Sequence, residues 1–325
     1  MDELKVAVVG AGEMGANHAR VLAATKGVQL VGVLDASDAR AEAISALHGC
    51  DVLRSLDDVL ARADAATVAV PSSAHATTAT PLLRGGLPCM IEKPFVTSED
   101  EAAMVMAAAE AGSAAVLVGH IERFNPAVGQ LRTILSGSHE VLAVDARRMS
   151  AVSGRITDVD VVTDLMVHDI DIVLDLVRQP VVDVVARCAR GNATSGQDFV
   201  TAVLTFAGGA IASLTASRIT QNTVRTLQVT TDQRFFTVDY PSQELLIYRQ
   251  GRLGVVPAET TDEERYVLDV GTERVSVRRV EPLAVELAHF VDVARGLAPP
   301  RVSADDALAA MRLVWTIQAS LEAGG

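Results

Sequence analysis

The chain has 325 residues, with 49% hydrophobic and 21% charged side chains. That is room for about two domains of roughly 150 residues each and a balance that excludes general disorder. Lys and Arg number 28 against 41 Asp and Glu, a net charge of −13, which argues against a nonspecific nucleic-acid binder and against docking on anionic membrane surfaces.

The first 120 residues alternate short apolar runs with helical patterns. Strands are predicted at Leu4–Val9, Gln29–Leu34, Ala66–Val70, Pro88–Ile91 and Ala114–Val118. Helices are predicted at Met14–Ala24, Ala39–His48, Leu56–Arg62, Ala74–Arg84 and Glu99–Ala111. Strands that alternate with helices make βαβ units and a parallel sheet, and strands buried on both faces show little polar alternation. After Gly119 the pattern changes to a helix at Pro126–Leu135, a strand at Val141–Arg148 and a helix at Thr163–Val177. Strands follow at Val181–Arg190, Phe199–Phe206, Ala210–Arg218, Val224–Thr231, Phe235–Asp239 and Leu245–Arg249, with a hairpin signal at Gly208-Gly209. Strands without intervening helices predict an antiparallel sheet and an α+β second domain. Two helices, Leu283–Arg295 and Ala304–Leu321, follow, separated by Pro299-Pro300.

Cys50, Cys89 and Cys188 are odd in number and lack CxxC spacing, which supports neither a disulfide framework nor a metal cluster. The opening Met-Asp-Glu-Leu-Lys run lacks a signal-peptide pattern. The apolar-rich stretch 102–118 is interrupted by Glu110, Gly112 and Ser113, short of the roughly 20 apolar residues a membrane span needs. The expected setting is a reducing cytoplasm, with no membrane and no nucleic acid among the partners.

Gly10-Ala11-Gly12-Glu13-Met14-Gly15 follows the first strand and opens a helix, and Asp35 ends the second strand about 20 residues later. In that context the three glycines serve a tight turn, close approach of backbone to a pyrophosphate, and helix–strand packing, with the helix N-terminus facing phosphates. A carboxylate at Asp35 accepts hydrogen bonds from ribose hydroxyls and repels a 2′-phosphate, and Arg40 lies five positions on rather than adjacent. NAD is therefore expected over NADP. Glu92-Lys93-Pro94 follows another strand, at the carboxyl edge where ligands bind in open α/β sheets. On these residues alone Lys93 is either a group that bonds a substrate hydroxyl or a surface ion-pairing lysine before a helix-starting proline.

Asp164 and His168 fall on one face of the predicted helix, about 40° apart at 100° per residue, with Asp171 and Asp175 on the same stripe. A histidine near a carboxylate can be a proton-transfer pair or a satisfied core pair, while a zinc set lacks a third His or Cys at useful spacing. Arg147, Arg148, Arg155 and Arg218 are candidates to bind a diphosphate or simply solvated surface cations.

Taken together, Gly10–Gly15, Pro71-Ser72-Ser73-Ala74-His75, Glu92-Lys93-Pro94, Arg123-Phe124-Asn125-Pro126 and Asp164–His168 resemble, in order and spacing, the glucose–fructose oxidoreductase/inositol dehydrogenase/rhizopine-catabolism (Gfo/Idh/MocA) family. The resemblance implies a Rossmann domain over 1–120. It also implies an α+β domain over 121–325 with a large, mostly antiparallel open sheet, for substrate binding and oligomerisation, and C-terminal helices able to pack back on the first domain. It implies that Lys93, Asp164 and His168 meet the substrate beside the nicotinamide, with His168 as general base, Lys93 orienting the hydroxyl and Asp164 in support. Gly10, Gly12, Glu13, Met14, Gly15, Asp35, Pro71, Ser72, His75, Glu92 and Lys93 would line the cofactor, and Arg123, Asn125, Arg147 and Arg218 would join the substrate set. The runs 119–126, 164–171 and 216–220 are similar to dehydrogenases of the family that oxidise the 3-hydroxyl of UDP-N-acetylglucosamine. A free polyol such as myo-inositol, a transhydrogenase with retained cofactor, and a non-catalytic dinucleotide-binding regulator are the alternatives. A homodimer or homotetramer is expected.

Overall fold

The apolar runs of the first third form β1 (Leu4–Val9), β2 (Val28–Leu34), β4 (Ala65–Val68), β5 (Cys89–Glu92) and β6 (Val116–Gly119), joined by α1 (Glu13–Ala24), α2 (Asp38–His48), α3 (Leu56–Arg62), α4 (His75–Arg84) and α5 (Glu99–Gly112). The two-residue edge strand β3 (Asp51–Val52) is additional: it pairs with Gly32 and Val33 and is too short to show a period. The strand order is β3-β2-β1-β4-β5-β6, with every neighbouring pair parallel. The order reverses between β1 and β4, the switch point outside whose carboxyl ends such sheets bind ligands. The computed structural model describes residues 2–137, 140–151, 160–189, 197–249, 253–256, 265–268 and 271–323. They divide into two compact units, Met1–Phe124 with Val280–Leu313, and Asn125–Arg279 with Val314–Gly325.

The second unit opens with α6 (Pro126–Leu135) and β7 (Val141–Met149), and continues through a π-helical turn, Val162–Met166, into α7 (Val167–Val177). Then come β8 (Val181–Ala189), β9 (Phe199–Phe206), β10 (Ile211–Ser217), β11 (Val224–Thr231), β12 (Arg234–Asp239), β13 (Glu244–Arg249), β14 (Leu253–Val256), β15 (Arg265–Leu268) and β16 (Thr272–Arg274). The large sheet runs β16-β13-β12-β11-β7-β10-β9-β8, antiparallel throughout except for the parallel pair β7–β10, while β14 and β15 pair separately. α7 packs on β7 and β10, and α6 on β12 and β13. Register places Val185, Val203, Ile211, Phe235 and Tyr248 on the opposite face, where Val185, Val203 and Ile211 are 46%, 42% and 50% exposed.

α8 (Pro282–Ala294) follows that unit in sequence but belongs with the first, packing on α1, β6 and the turn Ile121–Phe124. α9 (Ala304–Ala323) is shared: residues through Leu313 group with the first unit and those from Val314 with the second. Among the described residues no helix is long and apolar enough to cross a membrane.

Candidate active site

The glycine turn between β1 and α1 is shaped by backbone crowding on two sides and by open space on the third. Gly10 has φ +104°, and a Cβ there would stand 2.3 Å from the Ala69 carbonyl oxygen; one on Gly15 would stand 1.8 Å from the Gly10 oxygen. A Cβ on Gly12 would meet nothing within 4 Å. The chain therefore leaves a bare concavity at the N-terminus of a 12-residue helix, which fits the pyrophosphate of a dinucleotide. Glu13 and Met14 are exposed in that first helical turn.

Asp35 closes the turn from the next strand. Its Oδ2 accepts the Ala11 amide at 2.7 Å and its Oδ1 accepts the Ser37 amide at 2.7 Å. Burial pushes this carboxyl up, but the two amides and the Arg40 guanidinium outweigh burial and hold it below its ordinary range. Arg40 does not stand apart, as its distance in sequence suggests: Nε and Nη2 lie 3.1 and 2.8 Å from Asp35 Oδ1.

At the end of β5, Lys93 is half-buried and forms a cis peptide with Pro94. Its neighbour Glu92 turns inward. Oε1 accepts from His18 Nε2 at 2.9 Å and Oε2 accepts the Lys93 amide at 3.2 Å. Burial raises the Glu92 carboxyl, but the His18 hydrogen bond and the His18 and Lys93 charges bring it below its ordinary range. His75 is buried, with Nδ1 2.8 Å from the Pro94 carbonyl and Nε2 3.0 Å from the Val70 carbonyl. Burial pushes its pKa below the ordinary value. Glu92 and His75, expected beside the cofactor, brace the backbone around Lys93, as buried polar groups must find partners. Pro71 is exposed and Ser72 half-buried in the 3₁₀ turn leading to α4.

In the second unit, Asp164 lies within the π turn and His168 in the first turn of α7, both half-buried. The wider winding breaks the regular 100° step assumed from sequence, and such turns recur at functional sites. Asp160 fixes its start: Oδ1 accepts the Val162 and Thr163 amides at 2.8 and 3.1 Å, and Oδ2 accepts the Thr163 hydroxyl and Gln318 Nε2, both at 2.8 Å. Along the aspartate stripe, Asp175 pairs with Arg132 at 3.2 Å and Asp171 is buried.

The candidate arginines separate by strand alternation. Arg148 is buried, and its Nε and Nη2 lie 3.0 and 2.9 Å from the two oxygens of Asp169, with the guanidinium 5.0 Å from the Tyr240 ring centroid. It anchors α7 to β7. Arg147 points to the sheet face opposite α7 and pairs with Asp145 at 2.9 Å, so the structure does not bring it together with Asp164 and His168. Arg218 is buried just beyond β10, the strand on which the π turn packs. Arg155 lies outside the described residues. Asn125 caps α6, accepting the Ala127 amide at 3.1 Å and donating to the Tyr240 carbonyl at 3.1 Å, and it is buried. Arg123 is buried in the 3₁₀ turn of the first unit. His18, Asp160 and Gln318 were not singled out from sequence. The signal for His18 was its place on the stripe Gly15, His18, Ala19, Leu22 of α1.

A dinucleotide cradle on a parallel sheet, with a separate unit in which Asp164 and His168 lie on a π turn and helix packed against a mostly antiparallel sheet, is the arrangement of a two-domain NAD-binding oxidoreductase. The model of the oxidoreductase family with an NAD-binding Rossmann fold matches residues 4–120, and that of the GFO/IDH/MocA C-terminal domain matches residues 125–237. The chain is 32% identical over 292 residues to the UDP-N-acetylglucosamine 3-dehydrogenase of Acidithiobacillus ferrooxidans, covering 90% of this chain and 89% of that one. A solved structure of that organism's enzyme matches with TM-score 0.90 and 30% identity over 99% of both chains. Inositol 2-dehydrogenase 2 of Saccharopolyspora erythraea is 30% identical over 206 residues, 60% of each chain. This chain belongs to the Gfo/Idh/MocA family of oxidoreductases.

Proposed function

We propose that the chain is an NAD-dependent dehydrogenase that oxidises a secondary hydroxyl of a sugar nucleotide to a ketone, with the 3-hydroxyl of UDP-N-acetylglucosamine as the leading substrate. The observation that carries this reading is similarity along 90% of the chain to an enzyme of that name, against 60% for the inositol dehydrogenase. Gly10, Gly12, Gly15 and Asp35 would hold the dinucleotide, which supplies the hydride acceptor when bound. Glu13, Met14, Pro71 and Ser72 would flank it. His168 takes the hydroxyl proton on a ring nitrogen as hydride leaves the carbon, Lys93 orients the hydroxyl oxygen, and Asp164 supports the pair. Arg218 is the diphosphate candidate we favour, with Arg155 the other. The test is a panel of UDP-sugars and free polyols, each with NAD, followed by reduced-nicotinamide absorbance. Activity on UDP-N-acetylglucosamine supports the reading. Activity on myo-inositol alone transfers the same residues to a polyol, and no turnover on any member favours a non-catalytic binder.

The preference for NAD rests on Asp35. Its carboxylate is ionised at neutral pH and would accept from ribose hydroxyls, and a 2′-phosphate would be repelled. Asp35→Ser should narrow the NAD:NADP ratio of kcat/KM roughly 10- to 100-fold, the worth of a charged hydrogen bond. The change should include a real gain with NADP, because it frees the Arg40 guanidinium beside the ribose position. A parent enzyme that prefers NADP would overturn the assignment. The exposed face holding Val185, Val203 and Ile211 is the surface we assign to self-association, and light scattering reads it as a dimer or tetramer. The free thiols, with Cys188 exposed, suit a reducing cytoplasm.

A further inference from the structure

We propose that His18, acting through Glu92, is a positioning residue for Lys93; the inference rests on the reading of Lys93 given above. α1 buries His18 completely among aliphatic residues, a placement that costs free energy unless the ring finds a partner. It finds one: Nε2 lies 2.9 Å from Glu92 Oε1. A carboxylate only accepts, so Nε2 is the donor. Nδ1 has no hydrogen-bond partner among the described residues, so the whole polar function of this ring is directed at Glu92.

Glu92 passes the constraint on. Its other oxygen accepts the amide of Lys93 at 3.2 Å. The carboxylate has little freedom to swing, because Gly119 of β6 lies beside it: a Cβ there would be 3.0 Å from Oε1. From the other flank, His75 holds the Pro94 carbonyl at 2.8 Å. The peptides on either side of the Lys93-Pro94 bond are thus held from α1 and from α4, and the α1 grip starts on the helix whose N-terminus forms the dinucleotide cradle. One hydrogen-bonded path therefore sets the Lys93 backbone relative to the cofactor turn. Such registration matters because a misplacement of about 1 Å at a reacting group can cost about 10²-fold in rate.

The test uses the full-length enzyme, UDP-N-acetylglucosamine and NAD. His18→Leu should lower kcat about 10- to 100-fold with KM for NAD changed less than about twofold. His18→Gln, whose Nε2 can donate from a similar position, should restore most of the rate. In a double-mutant cycle, His18→Leu added to Lys93→Met should cost less than about threefold further. A readout without turnover is acetylation of Lys93 followed by mass spectrometry, with Lys5 and Lys26 as internal references. Its relative rate should shift at least about threefold in His18→Leu and not in His18→Gln. If His18→Leu does not fold, His18→Asn takes its place, its amide being too short to reach Glu92; equal kcat for the Asn and Gln variants overturns the proposal. Independent, multiplicative losses in the cycle, or a raised KM for NAD at unchanged kcat, also overturn it. Full turnover in Lys93→Met alone would instead defeat the reading of Lys93, and is seen without any change at His18.

Discussion

Replacing His168 with alanine should suppress alcohol oxidation at neutral pH by about 10² to 10⁴, the usual worth of a positioned general base. Oxidation of a secondary alcohol removes a hydroxyl proton as hydride departs, and a ring nitrogen of an imidazole is a group that can take it. The scaffold should survive the change. α7 is held to the sheet by Asp169, the next residue, whose two oxygens lie 3.0 and 2.9 Å from Arg148, and this pair does not involve the imidazole. Turnover should recover in part toward about pH 10, where hydroxide replaces the missing base. Rates measured across that range in Ala and Asn variants check the claim. A loss smaller than about tenfold at neutral pH would remove His168 from proton transfer.

Lys93→Met should lower kcat by a similar factor, about 10² to 10⁴, while NAD binding measured by fluorescence titration stays near the parent value. Methionine keeps much of the stem's length and apolar volume but removes every donor, so the loss isolates the ammonium. The local backbone should persist, because Glu92 holds the Lys93 amide and His75 holds the Pro94 carbonyl through contacts the side chain does not make. Near-normal turnover would make Lys93 a structural cation.

The parallel sheet was legible in the sequence because strands buried on both faces read as continuous apolar runs, and the turn at Gly10–Gly15 because its glycines have steric causes visible as spacing. β3 was not legible, since two residues carry no period. The helix bearing Asp164 and His168 showed its helical pattern, but not its π turn, which depends on the capping of Val162 and Thr163 by Asp160 and on the reach of Gln318 from α9. Residue type alone misled at Arg148, an arginine suited to phosphate that is taken up by a carboxylate 21 positions away. Nor did it show that the side chains of Glu92, His75 and Asn125 bond backbone and buried side-chain groups. Partners such as His18 for Glu92 and Tyr240 for Asn125 are distant in sequence, and burial rather than local pattern selects them.

The discontinuity of the first unit has a consequence for how the protein is made. The end of β6 donates the Val118 amide to the Val302 carbonyl at 3.1 Å, and Phe124 lies against His289 and under the Arg301 guanidinium. Every one of those late partners is synthesised after the whole of residues 125–279. At about 5–20 residues per second, a ribosome takes on the order of ten seconds to traverse that insertion. Throughout that interval the nascent nucleotide-binding unit has β1 to β6 available but lacks α8 and the strap at Val302. One flank then offers Val118 and Phe124 to whatever meets them, a chaperone or another unfinished chain. For the same reason a gene cut near residue 120 would yield an incomplete fold, and a separable dinucleotide-binding fragment would have to carry residues 280–313 grafted directly after Phe124.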